Sequence, residues 1–279
     1  MLTIYFSGTG NTKYIAELFS RKMGAKCLSI EDEAECIRSI NAHEIITFCY
    51  PIYGSRVPRN MREFVLRHMD ALIGKKIIII VTQALFSGDG ARVFTDMFDE
   101  GTIDVVYAEH FYMPNNICNV PLLRKPGDKT IRKYLAKADA KMDRTCQNIN
   151  DGIAVKRGFS RLSRVLGNIQ GLLWQGSSKR ERKNRHNPEA KPAPRFTAEQ
   201  MLKNSVKIRK NCTVCSICVS VCPVQNFEES SGAIKTKGNC VMCYRCVNRC
   251  PSKAITVMIP RRPRWQYGGV ALEHTDIES

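Results

Sequence analysis

Eight of the 13 cysteines crowd between Cys212 and Cys250, in two runs with the same internal spacing. The first is Cys212-x2-Cys215-x2-Cys218-x3-Cys222-Pro223; the second is Cys240-x2-Cys243-x2-Cys246-x3-Cys250-Pro251. Three thiolates this close can wrap three corners of an iron–sulfur cubane, with the fourth corner supplied from elsewhere. Paired C-x2-C units also make tetrahedral zinc sites. Zinc, however, has no use for a third and a fourth cysteine in both runs at matching offsets before a proline. The other five cysteines, Cys27, Cys36, Cys49, Cys118 and Cys146, have no such spacing and read as buried small hydrophobes. His43, His68, His110, His186 and His274 are too scattered for a di-iron or zinc centre.

A second chemical signal lies near the start, where Ser7-Gly8-Thr9-Gly10-Asn11-Thr12 follows an apolar strand and precedes a helical pattern. The hydroxyls of Ser7, Thr9 and Thr12, with free amides at a helix start, suit a phosphate monoester. Gly8 and Gly10 permit the tight backbone that turns those amides inward. A nucleotide P-loop is excluded because Gly10 is followed by Asn11 and Thr12 rather than Lys and Ser/Thr. A dinucleotide fingerprint is excluded because Lys13 stands where its third glycine belongs. The same residue types also cap helices that bind nothing.

The elements that must carry these residues alternate regularly. Strands are expected at Leu2–Phe6, Lys26–Ile30, Glu44–Tyr50, Ile77–Thr82 and Val105–Tyr112. Helices are expected at Asn11–Met23, Glu33–Ile40, Pro58–Ala71, Ala91–Phe98 and Lys129–Ile149. Five strands alternating with five helices imply an α/β fold, a doubly wound five-stranded parallel sheet. In such sheets ligands bind beyond the carboxyl ends of the strands, so the loops after Phe6, Tyr50 and Thr82 are the ones to read.

The Phe6–Thr12 stretch, at the first strand–helix turn, resembles the FMN phosphate loop of flavodoxins over roughly residues 1–150. That resemblance implies an FMN site: Ser7, Thr9, Gly10, Asn11 and Thr12 hold the phosphate, and the second and third loops embrace the ring. These loops are Pro51-Ile52-Tyr53-Gly54-Ser55 and Gln83–Gly90, with Tyr53 and Phe86 as aromatic candidates beside Ser87 and Gly88. Both tryptophans, Trp174 and Trp265, lie outside this part of the chain. A turn at Met113-Pro-Asn-Asn116 is placed to close the flavin edge. The cysteine runs resemble two-cluster bacterial ferredoxins across about Asn211–Met258. The resemblance implies two [4Fe–4S] clusters, one on Cys212, Cys215, Cys218 and Cys250, the other on Cys222, Cys240, Cys243 and Cys246. A small α+β module carries them.

Composition sorts the chain into segments. The 43 Lys and Arg against 26 Asp and Glu give a formal charge of +17. Residues 1–151 contribute +2, 152–210 contribute +12 and 211–279 contribute +3. The expected organisation is a flavodoxin-like FMN domain (1–151), a basic connector (152–203), a ferredoxin domain (204–260) and a C-terminal tail (261–279). In the connector Phe159, Leu162, Val165, Leu166, Ile169, Leu172 and Leu173 have helical spacing among basic residues. Such a stripe packs on its own protein or lies on an anionic membrane surface as a peripheral contact. The Lys179–Arg185 run and the prolines after it read as a solvated linker. Apart from Trp174, nothing aromatic is interleaved to stack bases, which argues against nucleic acid. A basic surface suits acidic redox partner proteins.

No apolar run approaches the roughly 18 residues needed to span a bilayer. The N-terminus lacks a signal-peptide pattern, and an odd cysteine count argues against a disulfide framework. The expectation is a cytoplasmic electron-transfer protein, with low-potential clusters implying an anaerobic host. It would pass electrons between clusters, FMN and partner proteins; the alternative is a ferredoxin-fed FMN reductase of a small molecule, motivated by Tyr53 and Asn115–Asn116. No catalytic acid or base stands out.

Overall fold

A computed structural model of the chain describes residues 1–54, 56–84, 89–166 and 205–270. The strands β1 (Leu2–Tyr5), β2 (Lys26–Ser29), β3 (Ile45–Pro51), β4 (Lys76–Gln83) and β5 (Asp104–Tyr112) form one parallel sheet in the order β2-β1-β3-β4-β5. The order reverses direction beside β1, which places the loops after β1 and β3 at a common crevice. Period-two alternation decides what each face packs against. Ile77, Ile79 and Val81 join Leu2, Ile4, Ile46 and Phe48 on one face, and Ile78 and Ile80 join Cys49 on the other. The first face is covered by α2 (Glu33–Asn41), α3 (Arg59–Arg67) and α4 (Met69–Leu72), the second by α1 (Asn11–Met23) and α5 (Asp128–Asn150). Tyr14 of α1 locks onto α5 by donating to Asp139 at 2.6 Å.

Two helices differ from expectation. The single helix expected at Pro58–Ala71 breaks at His68, whose amide is shared between the carbonyls of Phe64 and Val65 while its imidazole meets Glu33 at 2.6 Å. The helix expected at Ala91–Phe98 is a 3-10 helix, Arg92–Met97. Arg92 clamps Asp89 and Asp96 from this segment, and Phe94 packs on Phe48 with ring centroids 4.9 Å apart. So short a stretch between two anchored ends accepts the tighter winding.

The sheet does not end with α5. Ala108 donates to the Val155 carbonyl at 2.7 Å, and Arg157 donates back to the Ala108 carbonyl at 3.0 Å, so 155–157 runs beside β5. Glu109, buried, is met there by Lys141 at 2.9 Å and Arg157 at 2.6 Å. Phe159 packs into the core, whereas Leu162 and Val165, in a helical stretch over 161–166, are exposed. The rest of the expected amphipathic helix, and Lys179–Arg185, lie outside the described residues.

The cysteine-rich part folds as two copies of one unit. A shift of 28 residues carries Cys212 onto Cys240 and α6 (Ile217–Val221) onto α7 (Arg245–Arg249). An antiparallel pair, β6 (Lys207–Ile208) with β9 (Ile255–Thr256), and a hairpin, β7 (Phe227–Ser230) with β8 (Ala233–Thr236), flank the helices. Among the described residues no helix is long and apolar enough to cross a membrane.

Candidate functional site

The turn after β1 is held open for an anion. Ser7 Oγ accepts from the Gly10 amide at 3.1 Å, and Gly10 takes φ 101°, a conformation that favours glycine. The first amides of α1 have no intrahelical acceptors and point into this turn. Thr12 pairs its hydroxyl with Thr82 at 2.7 Å, and Asn116 donates to Thr9 Oγ1 at 3.0 Å. Asn11 donates to the Pro114 carbonyl at 2.7 Å and accepts from the Tyr267 hydroxyl at 2.7 Å. The loop thus ties the ends of β1, β4 and β5 together.

Beside it lies a cavity of about 130 Å³ that opens to solvent. Ser7, Thr9, Asn11 and Thr12 line it with Pro51, Ile52, Tyr53 and Gly54, so the first two expected loops converge. Gly10 stands behind, against the backbone of Val270. Phe86, Ser87, Gly88 and Ser55 lie outside the described residues. Two buried polar atoms of the lining, Tyr53 Oη and Gln83 Oε1, have no hydrogen-bond partner among the described residues. Buried polar atoms are rarely left so, and a polar ring system such as isoalloxazine has the donors and acceptors to satisfy them. The residues present therefore fit an FMN.

The remaining wall was not foreseen. Met242, Tyr244 and Met258 of the cysteine-rich module close the pocket. Arg245, next in the chain, reaches the phosphate loop: it donates to the carbonyls of Ser7 at 2.7 Å and Gly8 at 3.1 Å while pairing bidentately with Glu31. Asn248 donates to the Asn116 carbonyl at 3.0 Å. The approach is so close that a Cβ on Gly8 would stand 2.4 Å from the Cys243 carbonyl oxygen. Segment 265–270, expected as part of a tail, crosses the same region: Trp265 donates to the Leu123 carbonyl at 3.0 Å, and Gly269 packs on Thr9.

The cysteines gather crosswise. Cys212, Cys215, Cys218 and Cys250 line one small cavity together. The thiols whose charges bear on Cys218 are Cys212 and Cys250, whereas on Cys246 those of Cys243, Cys240 and Cys222 weigh more than that of Cys218. Among the described residues no three His, Cys, Asp or Glu side chains stand close enough together to hold a single metal ion. Backbone amides donate to sulfur instead: Asn226 to Cys222 at 3.2 Å, Met242 to Cys240 at 3.2 Å and Ala254 to Cys250 at 3.3 Å.

Those amides are turned inward by non-glycine residues at positive φ. Val214 and Ser216 (53° and 55°) recur as Met242 and Tyr244 (57° and 60°), each pair within a C-x2-C-x2-C run. A β-branched valine in that region is strained, and strain repeated at equal offsets points to a constraint on the enclosed group. Burial pushes the Cys218 and Cys240 thiols up to about 11 and Cys243 up to about 12. Buried thiols of this kind become ligands once a metal core offsets their charge. Both sets fit an iron–sulfur cluster. Removing the metal anaerobically with a chelator is expected to unfold this module, whose core includes Cys218, Cys246 and Cys250, and to spare the five-stranded sheet. Hydrogen exchange checks this; retained protection in α6, α7 and the β7–β8 hairpin would sink it.

Comparisons with known proteins agree with both halves. Residues 2–115 match the family model described as a flavodoxin domain, and residues 211–255 match that of a 4Fe-4S dicluster domain. The chain is thus an electron-transfer flavin and iron–sulfur protein. More narrowly, it joins a flavodoxin domain, the five-stranded sheet, to a 4Fe-4S dicluster domain. Similar solved structures include the Trp repressor binding protein from Bacillus subtilis, at 17% identity over 50% of this chain and 96% of that one, TM-score 0.36. Two-electron reduced Megasphaera elsdenii flavodoxin matches at 19% identity over 50% and 99%, TM-score 0.36. Flavodoxin 2 from Bacillus cereus matches at 18% identity over 50% and 97%, TM-score 0.34. None of the curated proteins matches the chain.

Proposed function

We propose that this chain passes electrons between two [4Fe–4S] clusters, one FMN and redox partner proteins in the cytoplasm. Cys212, Cys215, Cys218 and Cys250 would hold the outer cluster, and Cys222, Cys240, Cys243 and Cys246 the inner one. Ser7, Thr9, Gly10, Asn11 and Thr12 would hold the FMN phosphate. Pro51, Ile52, Tyr53 and Gly54 would flank the ring, with Phe86, Ser87 and Gly88 from the third loop. Clusters exchange single electrons, and flavin exchanges one or two.

The observation that carries the reading is the contact of Cys243, a ligand of the inner set, with Gly8 of the phosphate loop. This chain's residues bring an inner-cluster ligand against the flavin loop, and Met242, Tyr244 and Met258 shield the pocket between them. That shielding favours a carrier over a reductase acting on a small molecule stacked above the flavin.

Anaerobic purification with metal, sulfide and flavin analysis tests the composition; about eight iron and one FMN per chain are expected. Zinc, or a chain without flavin, would overturn the reading. Turnover with small-molecule acceptors in the absence of any partner protein would reinstate the reductase.

A further inference from the structure

The two faces of the iron–sulfur module differ in how their cations are used. On the face toward the flavodoxin domain, Arg245 is paired with Glu31. Elsewhere on the module, Lys207, Arg209, Lys210, Arg261, Arg262 and Arg264 are exposed, and none forms an ion pair with a described residue. Residues 205–270 carry eleven Lys and Arg against only Glu228 and Glu229; Glu228 pairs with Lys237 and Glu229 accepts from the Ser216 hydroxyl, so two carboxylates face eleven cations.

Hydrogen bonds place Arg209, Arg262 and Arg264 near the outer cysteine set, and Lys207, Lys210 and Arg261 adjoin them in the chain. Arg209 donates its amide to the Ala254 carbonyl at 2.9 Å and accepts from the Cys212 amide at 3.1 Å. Asn211 and Arg262 both reach the Ser252 carbonyl, two residues beyond Cys250, at 2.6 and 3.5 Å. Lys253 donates to the Arg264 carbonyl at 3.3 Å. Of the outer set Cys215 is exposed, the only one of the eight run cysteines to be so.

The geometry points to a docking surface for an acidic one-electron carrier protein, centred on Cys215 and bearing Lys207, Arg209, Lys210, Arg261, Arg262 and Arg264. The inference rests on the proposed iron–sulfur reading, and adds to it which cluster meets the partner and what charge that partner bears. Each encounter moves one electron: the carrier's reduced centre loses it and this chain gains it, or the reverse. No bond forms or breaks. Like-charged rings repel wrong partners and unlike rings steer the right one, which raises association rates by about 10- to 1,000-fold. An anionic membrane is the lesser fit. Among the described residues of the module Ile259 is the single exposed large apolar side chain, at 37%, and surface-seated segments need an apolar face to bury.

The test uses the reconstituted full-length holoprotein and a reduced, acidic bacterial ferredoxin as probe, mixed anaerobically at low ionic strength. Lys210→Glu with Arg261→Glu is expected to slow the second-order electron transfer at least about tenfold, a deficit that vanishes at high salt. Lys133→Glu with Lys137→Glu, on α5 of the other domain, changes net charge equally and is expected to leave the rate within about twofold. Photoreduced deazariboflavin, a neutral reductant, should reduce all three proteins at one rate, which shows intact clusters in the variants. Equal slowing in both charge variants, or none in either, overturns the surface. So does a holoprotein that ignores the ferredoxin but binds phosphatidylglycerol vesicles through these residues. A chain without clusters fails earlier, at metal analysis, and refutes the underlying reading instead.

Discussion

Replacing Gly8 by alanine is expected to push the iron–sulfur module off the flavin loop. The new methyl would lie 2.4 Å from the Cys243 carbonyl oxygen and 3.1 Å from both Cys243 Cβ and Tyr53 Oη. The nearest obstacle is backbone, so no side-chain rotation relieves it. Overpacking of this kind costs about 1–3 kcal/mol, which lowers the docked population by about 5- to 150-fold. Gly8 has no positive φ, so the loop's own conformation accepts alanine and the largest clash falls on the module's backbone. Small-angle scattering should show a longer particle, and flavin reduction after a pulse of electrons onto the clusters should slow by a like factor. Gly268→Ala is the control, since a methyl there meets nothing within 4 Å. An unchanged scattering curve and rate for Gly8→Ala would refute the idea that this contact couples the domains.

The crosswise assignment of cysteines gives the second large effect. Cys250→Ser should cost the chain one cluster, about half its iron, although Cys250 belongs by sequence to the other run. The decisive comparison is between pairs. Cys212→Ser with Cys250→Ser should lose no more iron than either alone, because both residues line the same cavity. Cys246→Ser with Cys250→Ser, only four residues apart, should lose both clusters. Iron analysis and low-temperature EPR of the reduced proteins read the result. If the second pair behaves as one site, each run holds its own metal and the crosswise arrangement is wrong.

The sheet was legible because its signals are local. The unbroken run Ile77-Ile-Ile-Ile-Val81 has to be buried on both faces, and only a central parallel strand offers that. The phosphate turn and the cysteine runs were equally readable, since each confines its chemistry to a dozen residues. Helix interruptions such as His68 were not, because a partner 35 positions away, Glu33, decides them.

The domain interface was hidden for the same reason, yet it left a trace in the differences between the two runs. Val214, Ser216, Ile217 and Ser220 of the first correspond to Met242, Tyr244, Arg245 and Asn248 of the second. The larger and more polar set is the one that meets the flavodoxin domain. Comparing the repeat with itself, rather than with a motif, would have singled out those four residues. The charge arithmetic concealed a second feature: the +3 of residues 211–279 averages a strongly basic module with the acidic Glu273, Asp276 and Glu278.

Segment 265–270 crosses the phosphate turn near the end of the chain: Tyr267 bonds Asn11 at 2.7 Å, and Gly269 and Val270 lie on Thr9 and Gly10. These residues leave the ribosome after every other part of the site, so the flavin site is finished last. The segment lines no part of the pocket and braces the turn from outside, so the turn gains its last support only after the sheet and both cysteine runs have been made.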